Sequence, residues 1–169
     1  MATYNLIATI TVGSGGSASI DFADIPQIYT DLLLVSSLRT SAAVNYQTNR
    51  MTINGSSSNM TVKNVYGAGG SVGSAGITTY LLAGYTLGSS ATANTFSSHN
   101  MYIPNYSNSV YKSFNSESAA ANNSGTNYVL DFSGGLWSQT AAITSIQLTT
   151  ENGNFMQYSS ASLYGIKNS

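Results

Sequence analysis

Apolar and polar residues alternate along most of this chain, in short runs separated by turn-forming residues. The alternation is clearest over residues 6–12 and 18–22, where every second position is apolar, and over 142–150, where Ala142, Ile146 and Leu148 alternate on one face with Thr144 and Thr150. A period of two places these residues on one face of a pleated strand, whereas no stretch shows the helical period. The glycine-rich segment 13–16 lies between the first two runs and predicts a β-hairpin.

The densest apolar run lies in residues 31–39, where positions 32–35 read Leu-Leu-Leu-Val. A continuous run of this length favours a strand that is covered on both faces. A helix is disfavoured because the run is short and because Ser36 and Ser37 are poor helix formers. Pro26 cannot continue a hydrogen-bonded ladder and is expected to turn the chain into this strand. We predict that residues 31–39 form the central strand.

The remaining apolar runs predict further strands, roughly nine or ten in all, separated by frequent turns. Asn54-Gly55 is a strong hairpin signal between two of them, and Gly84 predicts a bulge or a close backbone approach. Residues 66–76 and 118–127 are predicted to be exposed loops. The predicted strands are 47–53, 60–66, 77–87, 96–103, 109–117, 128–133 and 155–166.

This pattern predicts an all-β fold, an antiparallel β-sandwich of the jelly-roll kind that forms a single domain over residues 1–169. Gly134-Gly135 is expected to direct the following Leu136-Trp137 back onto the body of the domain. Residues 155–166 are expected to return along the strand at 142–150 after a turn at 151–154.

Charged residues make up only 7% of the chain, against about 25% in an ordinary globular domain. The formal net charge is −1, so no basic footprint for nucleic acid is available. The surface must consist of neutral polar groups, which cost far less than charges to desolvate. A net charge near zero also favours association. The composition is therefore typical of a protein that works within an assembly.

Targeting and redox signals are absent from the sequence. The chain has no cysteine, which is compatible with assembly in a reducing compartment. The first residues lack the basic and apolar regions of a signal peptide. No apolar stretch approaches the roughly 20 residues that span a bilayer. We predict neither a membrane partner nor a nucleic-acid partner.

Candidate chemistry is sparse. The single histidine, His99, has no evident acidic or nucleophilic partner, so a structural role is favoured over a catalytic one. Asp21, Asp24 and Asp31 could supply oxygen ligands for calcium, but their spacing matches no loop motif, and turn or strand-start carboxylates are the favoured interpretation. The glycine-rich segment 67–70 is not followed by a helix or a Lys-Ser/Thr pair, so it is not a phosphate cradle. No catalytic residue, metal or cofactor is predicted, and the chain is expected not to be an enzyme.

The 12 tyrosines, together with Ser, Asn and Gly, are typical of adaptable binding surfaces. Tyr102, Tyr106 and Tyr111 lie around Pro104, and Tyr158 and Tyr164 lie near the end of the chain. Sugar binding by stacked aromatic rings is one interpretation. Ordinary strand tyrosines with half-buried rings are favoured for any single position.

Several segments between residues 25 and 167 together resemble those of short virion structural proteins from tailed bacteriophages, particularly marine and cyanobacterial phages. These segments are Ile-Pro-Gln-Ile-Tyr-Thr-Asp-Leu at 25–32 continuing to Arg39, Asn-Gly-Ser at 54–56, Ile-Pro-Asn-Tyr-Ser at 103–107, Lys112, Leu-Trp at 136–137, Ala-Ala-Ile-Thr-Ser-Ile at 141–146 and Ser-Leu-Tyr-Gly-Ile-Lys at 162–167.

The resemblance implies a virion component without a catalytic motif. The favoured function is a capsid decoration, or cement, protein that binds the major capsid protein on the outer surface and stabilises capsomer junctions. It would be a homo-oligomer, with a trimer expected first, located on the capsid exterior after assembly in the host cytoplasm. The alternative is a tail fibre or receptor-binding module that recognises a host surface glycan. That alternative would be favoured by an attachment segment or a fibrous repeat, and the sequence shows neither. A free-standing enzyme is the least favoured class.

Overall fold

The computed structural model describes residues 3–124 and 127–167, and in this part of the chain it contains twelve β-strands and no helix. The strands are β1 (Thr3–Thr11), β2 (Ser19–Phe22), β3 (Asp31–Leu38), β4 (Tyr46–Ile53), β5 (Met60–Ala68), β6 (Ser71–Ile77), β7 (Leu81–Leu87), β8 (Ser97–Ile103), β9 (Lys112–Ala120), β10 (Val129–Trp137), β11 (Ile146–Thr150) and β12 (Ser160–Lys167).

The strands form two antiparallel sheets that pack face to face. The larger sheet has eight strands in the order β1-β12-β3-β8-β9-β10-β5-β6, and the smaller has four in the order β2-β11-β4-β7. Leu34 and Leu163 from the large sheet and Met51 and Leu148 from the small one belong to one buried apolar cluster. The predicted antiparallel β-sandwich is therefore confirmed.

Three of the predicted hairpins are wrong because the chain changes sheet where they were expected. β1 pairs with β12, whereas β2 pairs with β11. β4 and β5 likewise lie in different sheets, as do β11 and β12. The physical reason is that a strand with one apolar face buries it equally well beside its predecessor or opposite it, so a period of two does not choose between the two arrangements.

The Asn54-Gly55 turn itself is formed. Both residues have positive φ, 51° and 73°, as a type I′ turn requires. The turn closes a pair of backbone hydrogen bonds of 3.0 Å between Ile53 and Ser56. Beyond it the chain leaves for the other sheet and begins β5, so the turn ends one strand without pairing it to the next.

Two hairpins extend the large sheet beyond β8. One is β5–β6, which replaces the exposed loop predicted over 66–76. The other is β9–β10. β9 runs to Ala120 and so includes the start of the loop predicted over 118–127. Residues 125–126 of that predicted loop lie outside the described residues. β10 does not turn at Gly134-Gly135 but continues to Trp137. The Phe114 ring occupies the space over Gly135, where a Cβ would lie 2.1 Å from its Cζ.

β3 is an internal strand, paired with β12 and β8. Its core face is buried, including Leu34 at 3% exposure. The other face, with Leu33 and Val35, is only half-buried, so the prediction that both faces are covered is wrong. The strand that is buried on both faces is β7, whose adjacent Leu81 and Leu82 are both fully buried.

The predicted irregularity at Gly84 is confirmed. Its φ of 109° is readily adopted only by glycine, and the pairing of β7 with β4 shifts register at this point. A Cβ on Gly84 would lie 2.6 Å from Ser118 Cβ and 2.7 Å from His99 Nδ1. The glycine therefore allows β7 to pack directly on β8 and β9.

Candidate functional site

Four loops meet at the end of the sandwich where β3 begins and β8 and β12 end, as the strand registers require. We call this region the loop end. Its loops are residues 23–30, 54–59, 104–111 and 138–145. The segments that carry the resemblance to virion proteins supply much of all four loops, although they are far apart in sequence.

The loops are joined by hydrogen bonds between their backbones. The Ile25 amide donates to the Thr144 carbonyl at 3.0 Å, and the Ile143 amide donates to the Tyr106 carbonyl at 2.9 Å. Three loops are therefore linked in the order 23–30, 138–145, 104–111. Such links restrict loop motion without any contribution from charge.

The Asn54 side chain attaches the remaining loop to the same region. Its Nδ2 donates to the Ala142 carbonyl at 2.8 Å. Its Oδ1 accepts hydrogen bonds from the amides of Thr144 at 2.8 Å and Ser145 at 3.1 Å. One neutral amide thus bonds three residues of loop 138–145.

Gln27 and Tyr106 add two further neutral links. Gln27 Nε2 donates to the carbonyls of Ile25 at 2.7 Å and Ile143 at 2.9 Å. The Tyr106 ring is fully buried, and its hydroxyl donates to the Pro26 carbonyl. Burial raises the pKa of Tyr106, which keeps the hydroxyl a donor.

Lys112 is the one buried cation at the loop end. Its side chain is 1% exposed, and Nζ donates to the carbonyls of four residues at 2.6–3.0 Å. These residues are Asn108, Val110, Thr140 and Ala141. The ammonium also lies 5.7 Å from the centre of the Trp137 ring, within range of a cation–π contact. Desolvation lowers the pKa of Lys112. The charge is thus shared among backbone dipoles of two loops instead of being paired with a carboxylate.

Asp31 anchors loop 104–111 to the start of β3. Its Oδ1 accepts the Asn105 amide at 2.9 Å, and its Oδ2 accepts the Tyr102 hydroxyl at 2.8 Å. Desolvation, followed by the contact with Asp31, raises the pKa of Tyr102 to about 12. The carboxylate is buried and its contacts are structural.

The three aspartates considered for calcium do not share a site. Asp31 is buried, Asp24 is exposed, and Asp21 lies on β2, where its Oδ1 accepts from Gln147 Nε2 at 2.6 Å. Among residues 3–124 and 127–167, no group of three or more His, Cys, Asp or Glu side chains could hold a metal ion.

Large apolar side chains are exposed around the loop end. Ile28 is 69% exposed and Tyr111 is 59% exposed. Tyr4 and Val110 are also exposed and extend the same apolar surface. Asp24 is the only charged residue in the sequence of the four loops. The loop end is thus a fixed, almost uncharged surface with apolar tips.

His99 lies on the core face of β8, in a row with Ser118 of β9 and Asp131 of β10. All three are buried. His99 Nε2 contacts Ser97 Oγ at 2.8 Å, Ser118 Oγ accepts the Tyr85 amide at 3.0 Å, and no side-chain hydrogen bond joins the three members of the row in the described chain. Desolvation lowers the pKa of His99 to about 4. The imidazole is therefore neutral near pH 7 and serves as a hydrogen-bonding group in the core.

The carboxyl group of Asp131 is held by neutral partners. Asn64 Nδ2 donates to Oδ1 and Ser133 Oγ donates to Oδ2, each at 2.6 Å. Desolvation is the largest influence and raises the pKa of Asp131.

Arg39 is buried at the opposite end of the sandwich, where it donates to backbone carbonyl groups as Lys112 does at the loop end. Its Nη1 donates to the carbonyls of Thr92 at 2.8 Å and Thr95 at 2.7 Å, and Nη2 donates to that of Ala91 at 3.0 Å. Burial lowers its pKa. With Asp31, Lys112 and Asp131 also buried, the surface carries even less charge than the composition indicates.

The tyrosines singled out in the sequence have different environments. Tyr102 and Tyr164 are half-buried in strands, as expected for ordinary strand residues. Tyr106 is fully buried, whereas Tyr111 and Tyr158 are exposed in loops. The roles of Lys112, Asn54 and Gln27 as loop anchors were not predicted, because a residue that bonds distant carbonyls leaves no local pattern.

Comparison with protein-family models, curated proteins and solved structures gave no match. The described residues contain no helix that is long and apolar enough to cross a membrane.

Proposed function

We propose that this protein is a capsid decoration protein of a tailed bacteriophage, which binds the major capsid protein through its loop end and stabilises capsomer junctions. The observation that carries the proposal is the combination of exposed apolar tips with loops fixed by Lys112, Asn54 and Gln27. The resemblance of the same segments to virion proteins supports it. The protein would act on the capsid exterior after assembly in the host cytoplasm.

The physical character of the loop end suits a permanent contact. Loops that are already ordered lose little conformational entropy on binding. A surface of apolar and neutral polar groups is cheap to desolvate. We expect association by shape, hydrogen bonds and apolar contact instead of electrostatic steering, and therefore little change in affinity between about 50 and 200 mM salt, unlike phosphate-driven binding.

The strand order supports the jelly-roll part of the proposal. Without the two hairpins β5–β6 and β9–β10, the sheets reduce to β1-β12-β3-β8 and β2-β11-β4-β7. We propose that this interleaved order is an eight-stranded jelly roll, the architecture of many capsid-associated domains, with two inserted hairpins that widen one sheet.

A binding role is proposed in preference to catalysis. The groups with the chemistry of an active site, His99, Ser118 and Asp131, are inside the core and bonded to other partners. A substrate would have to displace β7 to reach them. We therefore propose no catalytic residue and no cofactor.

The test compares charged substitutions at the two ends of the sandwich. Ile28→Glu and Tyr111→Glu place a carboxylate on exposed positions of the loop end, and Met156→Glu does so on an exposed position of the opposite end. Binding is measured by co-sedimentation with particles that lack the protein, and the melting of each variant checks folding. We expect the loop-end variants to lose binding and Met156→Glu to retain it. Equal binding by all three variants would contradict the loop end as the contact.

Phage that contain the same variants distinguish a decoration protein from a receptor-binding protein. Phage assembled with the loop-end variants in place of the wild-type protein should adsorb to host cells normally but lose their genome more readily on heating, because a protein that binds only the assembled shell stabilises it by mass action. Abolished adsorption with normal heat resistance would instead support the tail-fibre alternative and its glycan ligand.

A further inference from the structure

A second surface lies on the side of the sandwich, away from the loop end. It is the outer face of β9, β10, β5 and β6, the part of the large sheet added by the two hairpins. We call it the sheet patch. Val65, Leu130 and Phe132 are 53–56% exposed, and Val72 is 89% exposed. They border a groove of about 510 Å³, and Gly67 leaves open space between its neighbours.

The sheet patch has one charge of each sign on opposite flanks. Glu117 points outward from β9, directly opposite Phe132 in the strand pairing, and Val65 of β5 lies on the other side of Phe132. Lys63 points outward from β5, two residues before Val65. The apolar strand β10 therefore runs between an acidic flank and a basic flank.

We propose that the sheet patch binds a second copy of this chain, face to face, about a two-fold axis that runs along β10. Such an axis superposes the β9 flank of one copy on the β5 flank of the other. It places Phe132 near its own counterpart and brings Glu117 of each copy beside the other copy's Lys63. A two-fold contact uses the same patch twice, so both charge pairs form together. The near-zero net charge of the chain adds little repulsion between the copies.

The extent of the surface fits a small dimer interface. Four strands about 4.8 Å apart and seven residues at about 3.3 Å each cover roughly 19 by 23 Å, about 440 Å² on each copy and about 900 Å² in total. This area is below that of stable specific interfaces and is in the range of weak, transient contacts, so we expect a weak dimer. Packing at the usual distance of about 10 Å between sheets would place the two exposed phenylalanine rings within reach of each other. This contact closes with two copies, so it predicts a dimer in place of the trimer expected from the sequence. It leaves the loop end free and does not depend on the proposed function.

The test uses the purified full chain and analytical ultracentrifugation over a wide range of concentration. Phe132→Glu should weaken dimerisation by about a hundredfold or more, because two charges would be buried at the centre of the contact. Glu117→Lys alone and Lys63→Glu alone should each weaken it by about tenfold, and the double variant should restore the affinity of the wild type, because both pairs are re-formed with the charges exchanged. Thr11→Lys adds a charge at an exposed position of β1, at the other edge of the large sheet and outside the patch, and is the matched control.

Each result bears on the proposal. A dimer that is weakened by the single reversals and restored by the double variant supports it. A wild-type protein that stays monomeric, a trimer, or a dimer insensitive to Phe132→Glu would overturn it, as would a double variant no better than the single ones. Loss of shell binding by Phe132→Glu in a monomeric wild type would assign the patch to the shell instead.

Discussion

Replacing Lys112 by Met should test whether the ammonium group holds the loop end together. The side chain is 1% exposed, and its removal leaves four carbonyl groups without their donor. Met keeps most of the aliphatic volume, so the change mainly removes the charge and its hydrogen bonds.

The magnitude follows from two opposing effects. Each hydrogen bond to a charged group contributes about 1.5–3 kcal/mol, but burying an ammonium costs several kcal/mol, which the Met variant no longer bears. The carbonyls belong to surface loops, so water can reach some of them once the loops loosen. We expect a net loss of about 3–5 kcal/mol in the free energy of unfolding, as for other buried charges that lose their partners.

The assay is urea unfolding at pH 7 beside Lys167→Met, which removes an exposed lysine and should change stability by no more than about 0.5 kcal/mol. Binding to particles should fall in the Lys112 variant by more than in the control, because looser loops must be ordered again on contact. A stability loss below about 1 kcal/mol would mean that the four bonds only balance the desolvation of the ammonium, and the account of the anchor would be refuted.

Three further predictions concern the core, each measured by denaturant unfolding. Leu34→Ala should cost about 2–5 kcal/mol, whereas Leu33→Ala, on the half-buried face of the same strand, should cost clearly less; equal costs would contradict the assignment of faces. His99, whose pKa is lowered to about 4 by burial, is protonated in the unfolded chain from about pH 6.5 downward. The free energy of unfolding should therefore fall by up to about 3 kcal/mol between pH 6.5 and 4. His99→Gln should remove this part of the pH dependence, and parallel stability profiles of the wild type and the variant against pH would contradict the prediction. Gly84→Ala should destabilise severely because of its positive φ and close neighbours, whereas Gly134→Ala, which meets open space, should not; two mild effects would contradict the close packing of β7.

The existence of most strands could be predicted from the sequence, because half-buried strands leave a period of two. Residues 47–53 illustrate this: they were predicted to form a strand, and Met51 and Ile53, two positions apart, both lie on the buried face of β4. Their partners could not be predicted, because the same period arises whether the next strand lies alongside or in the facing sheet. β6 was missed since its Gly and Ser residues resemble a loop, and only its pairing with β5 keeps it extended.

The candidate site was less accessible to sequence reasoning than the fold. Asn54 was recognised as a turn residue, which it is, but its bonds to loop 138–145 connect positions far apart in the chain. Lys112 was noted only within the resemblance, and no local pattern distinguishes a buried lysine from an exposed one. His99 was predicted to be structural, and its burial and contacts agree with that interpretation.

The placement of charge connects the fold with both proposed contacts. Two of the five basic side chains, Arg39 and Lys112, are inside the protein, where each fixes loops by bonding carbonyl groups and needs no acidic partner. Had these loops been fixed by surface ion pairs instead, the loop end would carry charges that every partner must desolvate or match. Anchoring from beneath keeps the exposed tips, such as Ile28 and Tyr111, neutral. The same arrangement makes charged substitutions informative about the contact. A carboxylate placed on an exposed tip adds a charge where the folded chain has almost none, while the buried anchors remain intact.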